Sequence, residues 1–335
     1  MEASENCRMS GRRRFGKHVL GLAATALAMP VRNAMAEAYP SRPLTIVVPT
    51  SPGASADIMS RAFSQYLTKA MGQAVVVENK TGATGAIGAQ FVARAAADGY
   101  TMLVGPSSTM VVNPLVQAVP YSTLNDFRMV GLMAKAEAVI VGSRAKGFRH
   151  LGDVIDYARA NPGKVTYGSS GTGGVLHMAM EYLQLLTKTD MLHVPYKGAA
   201  LAEVALLSNE IDVLLTNTSS VEPHIRAGRL VPLAITSTLP WSGLRDVPKA
   251  SDFVPGYSVD TWLGLYVPAA AGADRVALLN SALNGFLADP ASIERMRRQG
   301  LAGTPGTPEA ALQYQGAELK RWKPVVEAAR SAGRI

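Results

Sequence analysis

Between Leu44 and Val104 the chain alternates three short apolar runs with two helical patterns, which leaves little freedom in how it can fold. Leu44, Ile46, Val47 and Val48 form a run suited to a strand covered on both faces. Pro49, Pro52 and Gly53 stop it, and a helix is predicted from about Ser55 to Met71. Its apolar stripe is Ile58, Met59, Ala62, Phe63, Tyr66, Leu67 and Ala70, and Gly72 ends it. Ala74–Glu78 reads as a second strand, Gly85–Ala97 as a second helix and Thr101–Val104 as a third strand. That order, β-α-β-α-β, specifies a parallel sheet flanked by helices. Ser55 is placed to cap the first helix and Asp57 lies in its first turn. The free N–H groups and positive dipole of such a helix end suit a small anion.

A second series follows. Ala138–Val141 reads as a strand reached through a polar, loop-rich stretch after Thr109. Then come a helix at Leu151–Asn161, a strand at Val165–Tyr167 and the glycine-rich loop Gly168–Gly174, which feeds a helix carrying His177. Strands at Met191–Pro195, Ile211–Leu215 and Pro232–Thr236 alternate with helices, and Thr261–Val267 reads as one more strand. Three C-terminal helices have no sheet of their own and should pack back on the first series. The fold class expected is α/β, with two lobes, each a mostly parallel sheet flanked by helices. Lobe I is assigned to 37–137 plus 262–335 and lobe II to 138–261, with the ligand cleft between them.

The first 36 residues read as an export signal: a basic head at Arg12–Arg14 and Lys17, a short apolar segment over Val19–Val31, and the small-x-small site Ala34-Met35-Ala36. Gly11–Lys17 also resembles a twin-arginine pattern, with Gly11 where Ser or Thr is usual, so export by that route or the ordinary secretory one is expected, and with it a periplasmic location. Six of the 33 Lys and Arg residues and two of the 25 acidic ones precede Glu37, so cleavage lowers the net charge from +8 to +4. Half of the basic excess is therefore signal, and no nucleic-acid partner is expected. The single cysteine, Cys7, is removed too, so no disulfide, thiol nucleophile or lipid anchor follows.

Candidate ligand contacts come from strand-end turns at the carboxyl ends of the sheets. They are Pro52, Gly53, Ala54, Ser55 and Asp57 in the first turn and Ser107, Ser108 and Thr109 after the third strand. In the second series they are Ser169, Ser170, Gly171 and Thr172 in the glycine-rich loop, then Tyr196 and Lys197, then Thr216 and Asn217. The glycine-rich loop has no Lys-Ser/Thr to complete a phosphate cradle, so a nest of N–H groups for a carboxylate is the better reading. His177, beside that loop, is either a packing histidine or a donor to a ligand carboxylate, and Lys197 is either a solvated lysine or a counter-charge. Thr81–Gly88 imitates a dinucleotide fingerprint, but it follows the second strand and lacks the acidic residue that would hold a ribose, so close packing explains it better. The chain shows no Gly-x-Ser-x-Gly elbow, no Walker sequence and no paired histidines, so neither cofactor nor metal is expected.

These residues resemble the Bug (TctC-type) extracytoplasmic receptors of tripartite tricarboxylate transporters. The marks are Tyr39-Pro-Ser-Arg-Pro43, the Pro49–Asp57 turn, Val76-Val-Glu-Asn79, Gly82, Gly85, Ile87-Gly88, Asp98-Gly-Tyr-Thr101, Pro162-Gly-Lys164, Tyr167-Gly-Ser169, His177 and His193-Val-Pro-Tyr-Lys-Gly198. The resemblance implies a type II periplasmic-binding-protein fold and no catalysis. It implies a monomer that closes on a small organic carboxylate (a dicarboxylate, tricarboxylate or aromatic acid) and passes it to a membrane permease. A ligand sensor for a signalling receptor and an exported enzyme using the same cleft are the competing readings. Thr50 and Ala54 stand where the family usually has Phe and a second Gly, and Ala54 is expected to narrow the turn. Val175 stands where Ser or Thr is usual. Thr216 stands where an Asp is frequent, which argues against an amino-acid ligand.

Overall fold

The structure is a computed structural model describing residues 39–237, 244 and 246–335. The export-signal reading of residues 1–36 falls outside the described residues. Arg42–Ile335 form one compact unit.

Strand β1 (Leu44–Val48) buries four of its five side chains completely. It leads through α1 (Ser55–Met71), β2 (Val75–Asn79) and α2 (Ala86–Ala93) into β3 (Thr101–Pro106). β1 lies between β2 and β3 and runs parallel to both, with Leu44 opposite Val75 and Thr45 opposite Thr101. The anticipated β-α-β-α-β unit is therefore present. The glycines of the nucleotide-like motif serve packing. A Cβ on Gly88 would come 2.7 Å from the Lys80 carbonyl oxygen, and one on Gly85, itself at φ +88°, would come 2.3 Å from Thr109 Oγ1.

After a π-turn and α3 (Asn113–Val116) comes β4 (Phe127–Ala136), a ten-residue strand in a stretch expected to be mostly loop. Arg128, Gly131 and Lys135 break its apolar run, which hid the strand. Gly131 fits a tight spot: a Cβ there would come 3.0 and 3.2 Å from the side chains of Leu283 and Asn280. The chain then builds a second sheet from β5 (Ala138–Gly142), α4 (Leu151–Ala160), β6 (Thr166–Ser169), α5 (Val175–Thr187) and β7 (Leu192–Pro195). α6 (Ala199–Leu207), β8 (Val213–Asn217), α7 (Thr218–Arg226), β9 (Val231–Ile235) and α8 (Ala250–Phe253) follow. β10 (Thr261–Pro268) returns to the first sheet, and α9 (Ala273–Ala288), α10 (Pro290–Arg298), β11 (Leu301–Gly303) and α11 (Pro308–Ser331) close the chain.

The strand orders are β11-β4-β10-β3-β1-β2 and β7-β6-β8-β5-β9. Strands β2-β1-β3-β10 of one sheet correspond to β7-β6-β8-β5 of the other: three parallel strands, then an antiparallel one. Parallel pairing is thus confined to part of each sheet. The chain enters each sheet from the end where the parallel strands finish, so the entering strand, β5 or β10, must run the opposite way. α11 packs against β4 of the first sheet and also against α5 of the second, a wider contact than the single-series packing expected of the tail.

Glu137 is the only residue between β4 and β5. It is 1% exposed, accepts a hydrogen bond from Thr218 Oγ1 at 2.9 Å, and its carbonyl accepts from the Thr218 N–H at 3.1 Å. Burial pushes its carboxyl up to about 7; the Thr218 bond opposes this, while the charges of Asp260 and Glu222 add to it. A carboxyl raised in the folded state stabilises below its ordinary value of 4.5 and loses that contribution as pH rises through about 7. Glu137→Gln keeps the acceptor without the charge. Its stability relative to the wild type is expected to grow between about pH 4.5 and 7 and to level off above, measured by urea unfolding across that range.

Candidate functional site

Helices α1 and α5 begin with the same turn. Gly53 (φ +83°) and Gly173 (φ +77°) each precede an N-cap residue, Ala54 (φ −68°, ψ 158°) and Gly174 (φ −68°, ψ 157°). In each turn the third helical residue reaches back four positions to the glycine. Asp57 Oδ2 accepts the Gly53 N–H at 2.9 Å, and His177 Nδ1 accepts the Gly173 N–H at 2.9 Å. The left-handed backbone of the two glycines is what turns each strand end into a helix start. Ser55 is the first helical residue and not the cap; Ala54 holds the cap position without a side-chain bond. At φ −68° the Ala54 methyl is unstrained, so the limit on φ expected from an alanine here costs nothing.

The two anchors differ in charge. Asp57 is buried, and Arg61 Nη2 and Asn79 Nδ2 approach its Oδ1 at 2.9 and 3.0 Å. Burial pushes its carboxyl up, but hydrogen bonds from Arg61, Gly53 and Asn79 outweigh this and hold it below its ordinary value. Asn79 also donates to the Thr50 carbonyl at 3.0 Å, tying β2 to the turn. His177 is 1% exposed, and burial, His193 and Arg334 together bring it down to about 3, so it is a neutral imidazole. Its ring stacks on His193 at 3.8 Å between centroids.

Both helix starts line one cleft of about 450 Å³. From the first sheet it is walled by Thr50, Ala54, Ser55, Ala56, Thr84, Pro106, Ser107 and Ser108, and by the cleft ends of β4, β10 and β11 at Ala136, Thr261–Leu263 and Leu301. From the second it is walled by Ser170–Thr172, Gly174–Leu176 and Asn217. Among the described residues this lining holds no charged side chain. Its polarity comes from hydroxyls, one amide and the N–H groups of the first turns of α1 and α5.

Of the residues singled out from sequence, Ala54, Ser55, Ser107, Ser108, Ser170, Gly171, Thr172 and Asn217 are brought together on this cleft. Pro52 and Gly53 are exposed beside it, and Asp57 lies beneath the turn. Thr109 is buried and donates to the Thr84 carbonyl at 3.2 Å. Ser169 and His177 lie under the glycine-rich loop. Ser169 Oγ accepts the Gly171 N–H at 3.1 Å, so this N–H and that of Gly173 point inward, and the loop is a narrower nest than its glycine content suggested. Tyr196 and exposed Lys197 do not line the cleft. Thr216 is buried and donates to Glu203 at 3.0 Å, which removes the argument from it about amino-acid ligands. Sequence reading missed Thr84, Thr261, Leu263 and Leu301. Thr84 sits in the quoted Gly82–Gly88 motif, whereas Leu301 belongs to a three-residue strand too short to leave a periodic signal.

The description "Tripartite tricarboxylate transporter family receptor" matches residues 59–330, and the chain belongs to that family of solute-binding receptors. Protein BugT of Bordetella pertussis is 32% identical over 308 residues, covering 91% of this chain and 94% of BugT. Among solved structures, R. palustris Rpa4515 with adipate is 30% identical with a TM-score of 0.75, covering 88% of this chain and 98% of its own. MatC (Rpa3494) from Rhodopseudomonas palustris with bound malate is 27% identical with a TM-score of 0.72, covering 86% and 100%. No helix among the described residues is long and apolar enough to cross a membrane, and no group of three metal-binding side chains occurs among them.

Asp57 gives the turn a testable signature. Asp57→Asn removes the charge that gathers Arg61, Asn79 and the Gly53 N–H, and is expected to cost about 1–2 kcal/mol at pH 7. The folded carboxyl lies below its ordinary 3.8, so its contribution is present above that value and lost as pH falls through the depressed one. The stability gap between variant and wild type should therefore close below about pH 4 in acid unfolding curves.

Proposed function

We propose that this receptor captures a small organic carboxylate in the cleft between its sheets and delivers it to the permease of a tripartite tricarboxylate transporter. The carrying observation is that the N-termini of α1 and α5 line one cleft whose described lining has no charged side chain. Helix N-termini attract anions through free N–H groups and the helix dipole, and a wall of hydroxyls completes the hydrogen bonding. Two such ends suit a molecule with a carboxylate at each end, in keeping with the adipate and malate held by the two structural neighbours. A dicarboxylate is therefore the leading ligand class, ahead of tricarboxylates and aromatic acids. Cleft-lining hydroxyls and backbone groups without an acid–base pair favour capture over an exported enzyme.

In this reading Ala54, Ser55, Ser107, Ser108, Ser170, Gly171, Thr172 and Asn217 face the ligand. Pro52, Gly53, Asp57, Ser169 and His177 shape the two nests, while Thr109, Tyr196, Lys197 and Thr216 act from further away. Residues 37–137 with 262–335 and residues 138–261 move as two lobes that close on the ligand. The chain works as a monomer outside the cytoplasm after removal of residues 1–36.

Succinate, malate, adipate, citrate and benzoate form a suitable panel. Ligand present at about 100 times its Kd stabilises the folded state by about 2.7 kcal/mol, so thermal unfolding reports binding directly. At least one acid is expected to raise the melting temperature and change the emission of Trp262, which lines the cleft. A panel without any shift overturns the proposal. Ala54→Gly removes a methyl from the cleft wall at an unstrained position. It is expected to leave the fold intact, to cost up to about 1 kcal/mol through added freedom of the unfolded chain, and to alter the order of affinities in the panel.

A further inference from the structure

Beneath the glycine-rich loop lies a polar cluster that the cleft does not use. Glu181, on α5 one turn beyond His177, is 4% exposed. Its Oε1 accepts from Tyr167 Oη at 2.5 Å and Gln184 Nε2 at 3.1 Å, and lies 3.7 Å from His177 Nε2. Its Oε2 is 2.9 Å from Nη1 of Arg334, the residue that reaches in from beyond α11, and Arg334 Nη2 pairs with Asp190 Oδ1 at 2.8 Å. The charged and titratable groups facing His177 are thus Glu181 on its own helix, Tyr167 from β6, His193 from β7 and Arg334.

His177 can hold Gly173 only while Nδ1 carries no proton, since a backbone N–H needs an acceptor. A buried carboxylate 3.7 Å from Nε2 works against this, because an unshared anion next to an imidazole favours the doubly protonated ring. Arg334 supplies the counter-charge that Glu181 would otherwise draw from the histidine. We propose that Arg334 is a positioning residue for the ligand loop: by pairing with Glu181 it keeps His177 as the acceptor that fixes Gly173 beside the cleft. Burial acts the same way, and with His193 and Arg334 it brings His177 down to about 3. The packing of α11 against both β4 and α5 carries the arginine to this position.

The inference deepens the binding proposal and rests on it for its affinity readout, but loop exchange is measured without ligand. In Arg334→Ala, backbone amides from Gly171 to Leu176 should exchange at least several-fold faster than in the wild type, with those in the middle of α11 unchanged. With adipate as probe, or the tightest acid of the panel if adipate does not bind, the ratio of variant to wild-type Kd should rise about threefold or more between pH 7.5 and 5.5. Arg334→Lys, which keeps the charge, should restore both readouts most of the way. His177→Gln combined with Arg334→Ala should abolish the acid dependence, because glutamine accepts without titrating. If Arg334→Ala does not fold, Arg334→Gln carries the same measurements. Unchanged loop exchange, a Kd ratio flat with pH, or acid dependence persisting in the double variant overturns the role given to Arg334. Binding of no acid at all, with loop exchange still accelerated, overturns the ligand reading alone.

Discussion

The hydrogen bond from a left-handed glycine to the third residue of the following helix governs this molecule, and it occurs twice. N–H groups that are to receive an anion must already be fixed, because a loop ordered only by its ligand spends binding energy on its own entropy. Gly53 held by Asp57 and Gly173 held by His177 fix the two turns before any ligand arrives. The matched N-cap angles at Ala54 and Gly174 show that the two helices start with the same local backbone. Asn79 and Arg61 brace the first anchor, and in the proposed reading Arg334 braces the second by pairing with Glu181.

Two anchored turns are useful only if the sheets that carry them stay in register and can still move. Glu137 alone joins β4 to β5, and the other connection, from β9 to β10, includes α8. α11 adds a third tie by touching β4 of the first sheet and α5 beside the second, with Glu318 accepting from the indoles of Trp262 and Trp322 at 3.4 and 3.2 Å. One hydrophobic cluster runs from Val47 and Leu103 of the first sheet through Trp322 to Tyr167 and Met180 of the second. The two sheets therefore share packing around Glu137 and α11.

Most of the architecture was legible because it rests on periodicity. The alternation of β1, α1, β2, α2 and β3, and its repetition from β6 to β8, is written in apolar runs broken by Pro and Gly. β4 escaped because a strand covered on both faces can carry Arg128, Gly131 and Lys135 where local geometry allows, and β11 escaped because three residues hold no period. The cleft was half legible. Turn residues at strand ends could be named, but exposure at the cleft against burial under it depends on packing across some hundred residues. Thr216 and Asn217 are neighbours in the chain, and only the second faces the cleft. The buried His177, Glu181 and Gln184 recur along one face of α5, yet their partner Arg334 lies 150 residues away from Gln184, beyond reach of any local pattern.

A site built from backbone N–H groups cannot choose its anion by charged side chains, so its choice must come from shape and from the unequal fields of its two ends. At the α1 end a buried carboxylate lies beneath the turn and is balanced by Arg61, whose side chain is 50% exposed and therefore screened by solvent. At the α5 end the anchor is neutral, and the nearest buried charge pair, Glu181 with Arg334, is balanced in place. The first turn thus presents its helix dipole against a negative charge close behind it, while the second presents its dipole unopposed. In the proposed reading a ligand carboxylate would meet the stronger positive field at the glycine-rich loop, and the group opposite the weaker one beside Ala54 and Ser55. A substitution at position 54 changes volume at one end of that gradient, while one at position 175, where Val stands for the usual Ser or Thr, changes a hydroxyl at the other. In the proposed reading, that would let a side-chain-neutral cleft be tuned among organic acids without altering the anchors that hold it.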